Sequence, residues 1–119
     1  MPRFVVLEHH HQGVHWDLML ESAGALRTWR LEGEPADAAI IRATPLADHR
    51  SIYLEYEGEI SGGRGSVTRW DAGSFEWLAS EADCVIVKLA GKRLVGDVYL
   101  CKVESGDWEF RLAASASPS

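Results

Sequence analysis

From Val14 to Glu21 the chain alternates with a period of two. Trp16, Leu18 and Leu20 share one face of an extended segment, which reads as core, and His15, Asp17, Met19 and Glu21 share the other, which reads as a lined pocket. That period excludes an amphipathic helix at this point and commits the segment to a strand. The same grammar runs through the chain: short runs rich in β-branched and apolar residues, each broken by Gly, Pro, Ser or Asp. Strands are expected over Arg3–Glu8, Val14–Glu21, Leu26–Leu31, Ile40–Thr44, Ser66–Trp70, Ser74–Leu78, Cys84–Leu89, Leu94–Val103 and Trp108–Leu112, with a brief one at Glu59-Ile60. Nowhere can an amphipathic helix of ten residues be drawn; Ala36 to Ala39 allows at most one helical turn. About nine short strands joined by turns every ten residues or so give an all-β fold, a small antiparallel β-barrel or sandwich. Closure into a barrel would remove exposed edges. Its interior would be filled or lined by side chains, with the His15, Asp17, Met19 and Glu21 face as the lining of a pocket.

Several punctuation points carry their own expectations. The strand at Ile40 should end before Pro45, because the residue preceding a proline is restricted and proline cannot donate to a ladder. Asp48-His49-Arg50 should then open an irregular segment through Tyr53, Tyr56 and Gly58. Asp71-Ala72-Gly73 reads as a tight turn, and Gly91-Lys92-Arg93 and Glu104-Ser105-Gly106-Asp107 as hairpin connections. Ser61-Gly62-Gly63-Arg64-Gly65 lacks the Gly-Lys-Ser/Thr ending of a phosphate-binding loop and no helix follows, so it reads as a hairpin connection.

Four of the five histidines, His9, His10, His11 and His15, fall within seven residues, and Asp17 follows. His15 and Asp17 lie two apart on one strand face, so their side chains can converge. Gly13 allows a turn that returns His9 toward them, with His10 and His11 pointing away. Two imidazoles and one carboxylate on rigid strands suit Mn, Fe or Zn with coordination positions left open. The competing reading is a solvated polar turn.

At 119 residues the chain fits one domain, expected over 1–113 with a small polar tail over 114–119. No apolar run reaches the length of a membrane span, and no secretory signal opens the chain, so a cytoplasmic monomer away from any membrane is the default expectation. Cys84 and Cys101 have no framework spacing and read as buried free thiols rather than a disulfide. The net charge of −6 means that any grip on a phosphate backbone must come from a local basic patch or a metal.

With these residues laid out, the chain resembles the phosphoesterase domain found at the N-terminus of bacterial DNA ligase D and as free-standing proteins. Phe4-Val5-Val6 leads to His9, then to His15-Trp16-Asp17-Leu18-Met19-Leu20-Glu21. Next come Asp48-His49-Arg50 with Tyr53, then Tyr56-Glu57-Gly58. A glycine-rich loop, Val67-Thr68-Arg69-Trp70-Asp71-Ala72-Gly73, Gly91-Lys92-Arg93-Leu94-Val95-Gly96 and Trp108 follow in the family's order. The resemblance implies a Mn-dependent site with His9, His15 and Asp17 as ligands, although Zn or another divalent transition metal also suits those donors. It implies His49 as a phosphate-contacting catalytic residue and Tyr53 as a further active-site residue. It implies hydrolysis at the 3′ end of a nucleic-acid strand during DNA repair, with a DNA ligase or other end-joining protein as partner.

The chain departs from the family's pattern where it has Met19 in place of an arginine, Leu7 in place of a glutamine, Arg50 in place of a proline, and a shorter glycine loop. A guanidinium for phosphate would then come from Arg50, adjoining His49, or from Arg42, Arg30 or Arg64. The alternative function is a non-catalytic, metal-containing barrel that binds a nucleic-acid end or a repair protein.

Overall fold

In a computed structural model, residues 1–35 and 40–114 are described, Ala114 by its backbone alone. Among the described residues nine strands run in chain order: β1 (Arg3–His10), β2 (Val14–Ser22), β3 (Ala25–Leu31), β4 (Ile40–Arg50), β5 (Gly58–Glu59), β6 (Ser66–Glu81), β7 (Cys84–Ala90), β8 (Val95–Lys102) and β9 (Trp108–Ala114). All pairings are antiparallel, in the order β1-β2-β3-β4-β9-β8-β7-β6-β5. β1 also pairs with β6, so eight strands close into a ring and β5 hangs on β6. The all-β architecture follows from the period-two pattern and the turn spacing. The possible helical turn at 36–39 and nearly all of the tail expected over 114–119 lie outside the described residues.

Two apolar clusters divide the side chains. The larger is drawn from all eight ring strands, with Phe4, Leu18, Leu20, Trp29, Phe75, Val87, Leu100 and Phe110 among its members, and therefore fills the ring. Trp16 is half-buried against it. The smaller cluster, Val5, Leu7, Met19, Leu26, Leu54 and Val67, lies on the opposite face of β1, β2 and β3. A single 3-10 turn (Ser51–Leu54) covers it. Val5 and Leu7 thus alternate with Phe4 and Val6 between two apolar environments. This explains why Phe4-Val5-Val6-Leu7 is a continuous apolar run.

Four expectations are corrected. The His15 and Asp17 face does not line the interior of the ring: Trp16, Leu18 and Leu20 point inward, and the polar face is outside, roofed by the second cluster. β4 does not stop before Pro45 but continues to Arg50, with Pro45 opposite Trp29. Beyond Ala43, among the described residues, β4 has no pairing with β9 on its other edge, and proline is tolerated where a strand is an edge. Asp71-Ala72-Gly73 is not a turn but the middle of β6. There the Asp71 carboxylate accepts hydrogen bonds from the backbone N–H groups of Ala72, Lys92, Arg93 and Leu94 at 2.8–3.1 Å and holds the β7–β8 connection against the strand. Cys84 and Cys101 are direct cross-strand partners in β7 and β8 and form a disulfide, so no free thiol remains.

Candidate active site

The β1–β2 hairpin places His9 directly opposite His15, and Asp17 follows two residues along β2 on the same face. Gln12 at φ +52° and Gly13 at φ +109° make the tight reversal that this register needs. The result is a triangle. His9 Nδ1 lies 3.0 Å from His15 Nε2 and 3.6 Å from Asp17 Oδ2, and His15 Nε2 lies 3.3 Å from Asp17 Oδ1. One ligand atom from each residue falls within 4.8 Å of the other two.

The outer contacts aim these atoms. His9 Nε2 is 2.7 Å from the Arg64 carbonyl oxygen, which can only accept, so Nε2 carries the proton and Nδ1 presents its lone pair to the triangle. Burial pushes the His15 imidazole below its ordinary value, with Arg30 and His9 acting in the same direction against the pull of Asp17. His15 is therefore held neutral, the form that ligates a metal. Burial pushes the Asp17 carboxyl up, against the opposing effect of His15, His9, His49 and Arg30. Asp17 is 4% exposed, and its Oδ1 is buried without a hydrogen-bond partner. An orphaned carboxylate oxygen facing two imidazole nitrogens is the donor set that a divalent transition ion completes.

A cavity of about 310 Å³ opens beside the triangle. Met19, Leu7 and Val67 form its floor, and His49, Tyr53, Arg30 and Arg64 stand around it. His49 Nδ1 donates to the Ala47 carbonyl at 2.9 Å, and the His49 ring meets Tyr53 edge-to-face at 5.8 Å. The sequence thus led to His9, His15, Asp17, Met19, His49 and Tyr53, and the fold brings all six to one cavity.

Other expected residues lie elsewhere. Glu21 is at the far end of β2, where it accepts the Arg3 backbone N–H at 2.9 Å; it does not line the cavity. Arg42 is 3.4 Å from Asp107 in the β4–β9 region and is also away from the cavity. Arg50 flanks an adjoining depression with Ile52 and Tyr56 rather than the cavity, because the 3-10 turn carries the chain away after His49. Arg30 and Arg64 are the guanidinium-bearing residues that do line it. His10 points away, toward Glu8 at 2.7 Å, as alternation requires. His11 does not point away: the bend at Gln12 and Gly13 brings it to the cavity mouth, its ring stacked 6.1 Å from that of His9.

Sequence reasoning missed Leu46, Ile60 and the backbone of Arg64. Continuing the alternation of β4 through Pro45 would have reached Leu46, which stands opposite Thr28; His49, three residues on, comes to the same face opposite Leu26 only because the register shifts between these two pairs. Only the closed ring brings Arg64 and Ile60 near, and nothing local signals them.

Comparison with known proteins was consistent with this geometry. Residues 7–102 match the family described as the DNA Ligase D 3′-phosphoesterase domain. The multifunctional non-homologous end joining DNA repair protein LigD of Mycobacterium tuberculosis is 32% identical over 114 residues, covering 88% of this chain. The multifunctional non-homologous end joining protein LigD of Pseudomonas aeruginosa is 35% identical over 110 residues, covering 84% of this chain. The chain spans only 15% and 13% of those two relatives' lengths. With a match over most of its length, the chain belongs to the DNA ligase D 3′-phosphoesterase domain family.

Proposed function

We propose that this chain is a metal-dependent phosphoesterase that trims the 3′ end of a nucleic-acid strand during DNA end repair, with a DNA ligase or another end-joining protein as its partner. The observation that carries the reading is the buried Asp17 carboxylate, its Oδ1 without a hydrogen-bond partner beside His15 Nε2 and its Oδ2 beside His9 Nδ1, at the edge of a cavity lined by His49, Tyr53, Arg30 and Arg64. The names of the relatives, which specify end joining, support a reaction at strand ends.

His9, His15 and Asp17 would hold a divalent transition metal, manganese in the first place. The chemistry such an ion supplies when bound is Lewis acidity toward a phosphoryl oxygen. The chain's own residues do the rest. Arg30 and Arg64 neutralise the non-bridging phosphate oxygens. The Arg64 carbonyl keeps the His9 tautomer fixed. His49 donates from Nδ1 to the Ala47 carbonyl, so in its imidazolium form it presents a second proton, on Nε2, which passes to the leaving oxygen and leaves the neutral ring behind. Tyr53 donates its hydroxyl to a phosphoryl oxygen. Overall, a water oxygen bonds to phosphorus, the bond from phosphorus to the terminal nucleoside oxygen breaks, that oxygen takes a proton, and the strand retains the phosphate.

The second reading is a binding module without turnover. It is favoured by Met19, 1% exposed and apolar where the family carries an arginine. A primer ending in one ribonucleotide, incubated with Mn²⁺ and resolved on a gel, separates the two. The proposal expects product from the wild type and none from His9→Ala. Binding of Mn²⁺ with no product from the wild type supports the module.

A further inference from the structure

Of the five histidines, four have a ring nitrogen engaged within the fold. His9 meets His15 and the Arg64 carbonyl, His10 meets Glu8, His15 faces His9 and Asp17, and His49 donates to the Ala47 carbonyl. His11 is the exception. It is exposed and lines the cavity, and among the described residues neither of its ring nitrogens has a hydrogen-bond partner. Its backbone is nonetheless fixed. The His11 N–H donates to the Gly13 carbonyl at 2.9 Å, and Gly65 packs so closely that a Cβ there would lie 2.8 Å from the His11 Cβ. The ring stacks on that of His9, 18° from parallel with the centroids 6.1 Å apart. His11 thus stands beside a member of the triangle without belonging to the three residues whose ligand atoms gather within 4.8 Å. A positioned imidazole with both nitrogens unspent has no task in the fold that its contacts reveal.

We propose that His11 is a specificity-determining residue of this site, its ring N–H donating to a non-bridging oxygen of the terminal phosphate of a strand. The inference rests on the phosphoesterase reading and adds the group by which the site tells a phosphorylated 3′ end from a hydroxyl end. The guanidinium groups on the cavity are partly committed. Arg30 Nε lies 3.4 Å from Glu32 Oε1, and Arg64 Nε donates to the Ser61 carbonyl at 2.8 Å. Met19, two residues from Asp17 on the same strand face, offers no donor at all. His11 needs no added proton for this contact. A neutral imidazole carries one N–H, and with neither nitrogen engaged the ring is free to adopt the tautomer that presents it. A hydrogen bond to a charged oxygen is worth about tenfold or more in affinity. Because the bend at Gln12 and Gly13 already holds the residue, little ordering cost is left to subtract.

The test compares two labelled oligonucleotides that differ only at the 3′ end, a phosphate in one and a hydroxyl in the other. Fluorescence anisotropy in the presence of a chelator reads the contacts of the side chains alone, without turnover. The wild type should bind the phosphorylated strand at least tenfold more tightly. His11→Phe keeps a ring against His9 but has no N–H, and should bring the ratio below threefold. His11→Gln restores a donor and should return it to fivefold or more. His11 is exposed, so both replacements are tolerated by the fold. Titration with Mn²⁺, read by electron paramagnetic resonance, should show His11→Phe within threefold of the wild type. A ratio unmoved by His11→Phe, or lost equally in His11→Gln, would overturn the phosphate contact. So would a tenfold loss of Mn²⁺ affinity in His11→Phe, which would make His11 a metal ligand instead. Release of product from a ribonucleotide-ended primer by the wild type with Mn²⁺, alongside an unmoved ratio, would leave the phosphoesterase reading standing without this role for His11. A ratio that depends on His11 with no product would do the reverse.

Discussion

The His9 ring donates from Nε2 to the backbone carbonyl of Arg64 at 2.7 Å and thereby ties the β1–β2 hairpin to the glycine-rich loop fifty-five residues away. The loop is pressed against the hairpin: a Cβ at Gly65 would collide with the His10 carbonyl, and Gly65 has φ +79°. Glycine is required there for both reasons. Gly65→Ala should push the loop away and release the His9 tautomer. Outer contacts of this kind are worth about 10- to 100-fold in metal affinity. Titration of Gly65→Ala with Mn²⁺, followed by the loss of free-ion signal in electron paramagnetic resonance, should show a loss of that order; unchanged affinity would mean that the contact does not orient His9.

Asp71 is a structural anchor and not a site residue. Four backbone N–H groups converge on its carboxylate, and the residue is buried. Hydrogen bonds to a charged group contribute about 1.5–3 kcal/mol each, and removing the acceptor leaves buried donors unpaired. Asp71→Ala should lower the free energy of unfolding by at least about 3 kcal/mol in a denaturant titration, well beyond an ordinary surface substitution.

Leu18 points into the ring and is fully buried, so Leu18→Ala should cost about 2–5 kcal/mol. Chemical denaturation measures it directly. A cost under 1 kcal/mol would mean that the inward face of β2 is not packed as described.

Met19→Arg returns a guanidinium to the cavity beside Asp17. Met19 sits among Val5, Leu7, Leu26, Leu54 and Val67, so the longer side chain must turn toward the cavity, at a stability cost of about 1–3 kcal/mol. Donors that act only in the transition state are typically worth on the order of 100-fold to 1000-fold in rate. The variant should therefore gain activity on a 3′-phosphomonoester, which kcat and KM measurements on the wild type and the variant would check. Arg30→Ala and Arg64→Ala should each slow the wild type, whereas Arg42→Ala, facing Asp107, should not.

The sequence was most legible where periodicity and chemistry coincided. Alternation at Val14–Glu21 separated Leu18 and Leu20 from His15 and Asp17, and the i, i+2 spacing marked the latter pair as convergent. What could not be seen is which face closes the ring. Both faces of β1 and β2 are buried, one inside the ring and one beneath Leu54, and a period of two cannot distinguish two buried faces. Glu21 was misplaced for a different reason: it shares a face with Asp17 but lies at the other end of the strand, beside Arg3. Pro45 hid the second half of β4, because a proline signals a strand end unless the neighbouring edge is known to be empty. Arg50, adjacent to His49 in sequence, is carried off by the turn that begins at the next residue. The Cys84–Cys101 pair needed the β7–β8 register, which no spacing in the sequence specifies.

The most direct measurement of the central claim is an anomalous difference map from crystals grown with Mn²⁺ and collected at the manganese edge. The triangle predicts one strong peak bonded to His9 Nδ1, His15 Nε2 and an Asp17 carboxylate oxygen, at about 2.0–2.2 Å from each. A map with no peak at that point, or with manganese bound elsewhere while His9 Nδ1 remains against His15 Nε2, would contradict it.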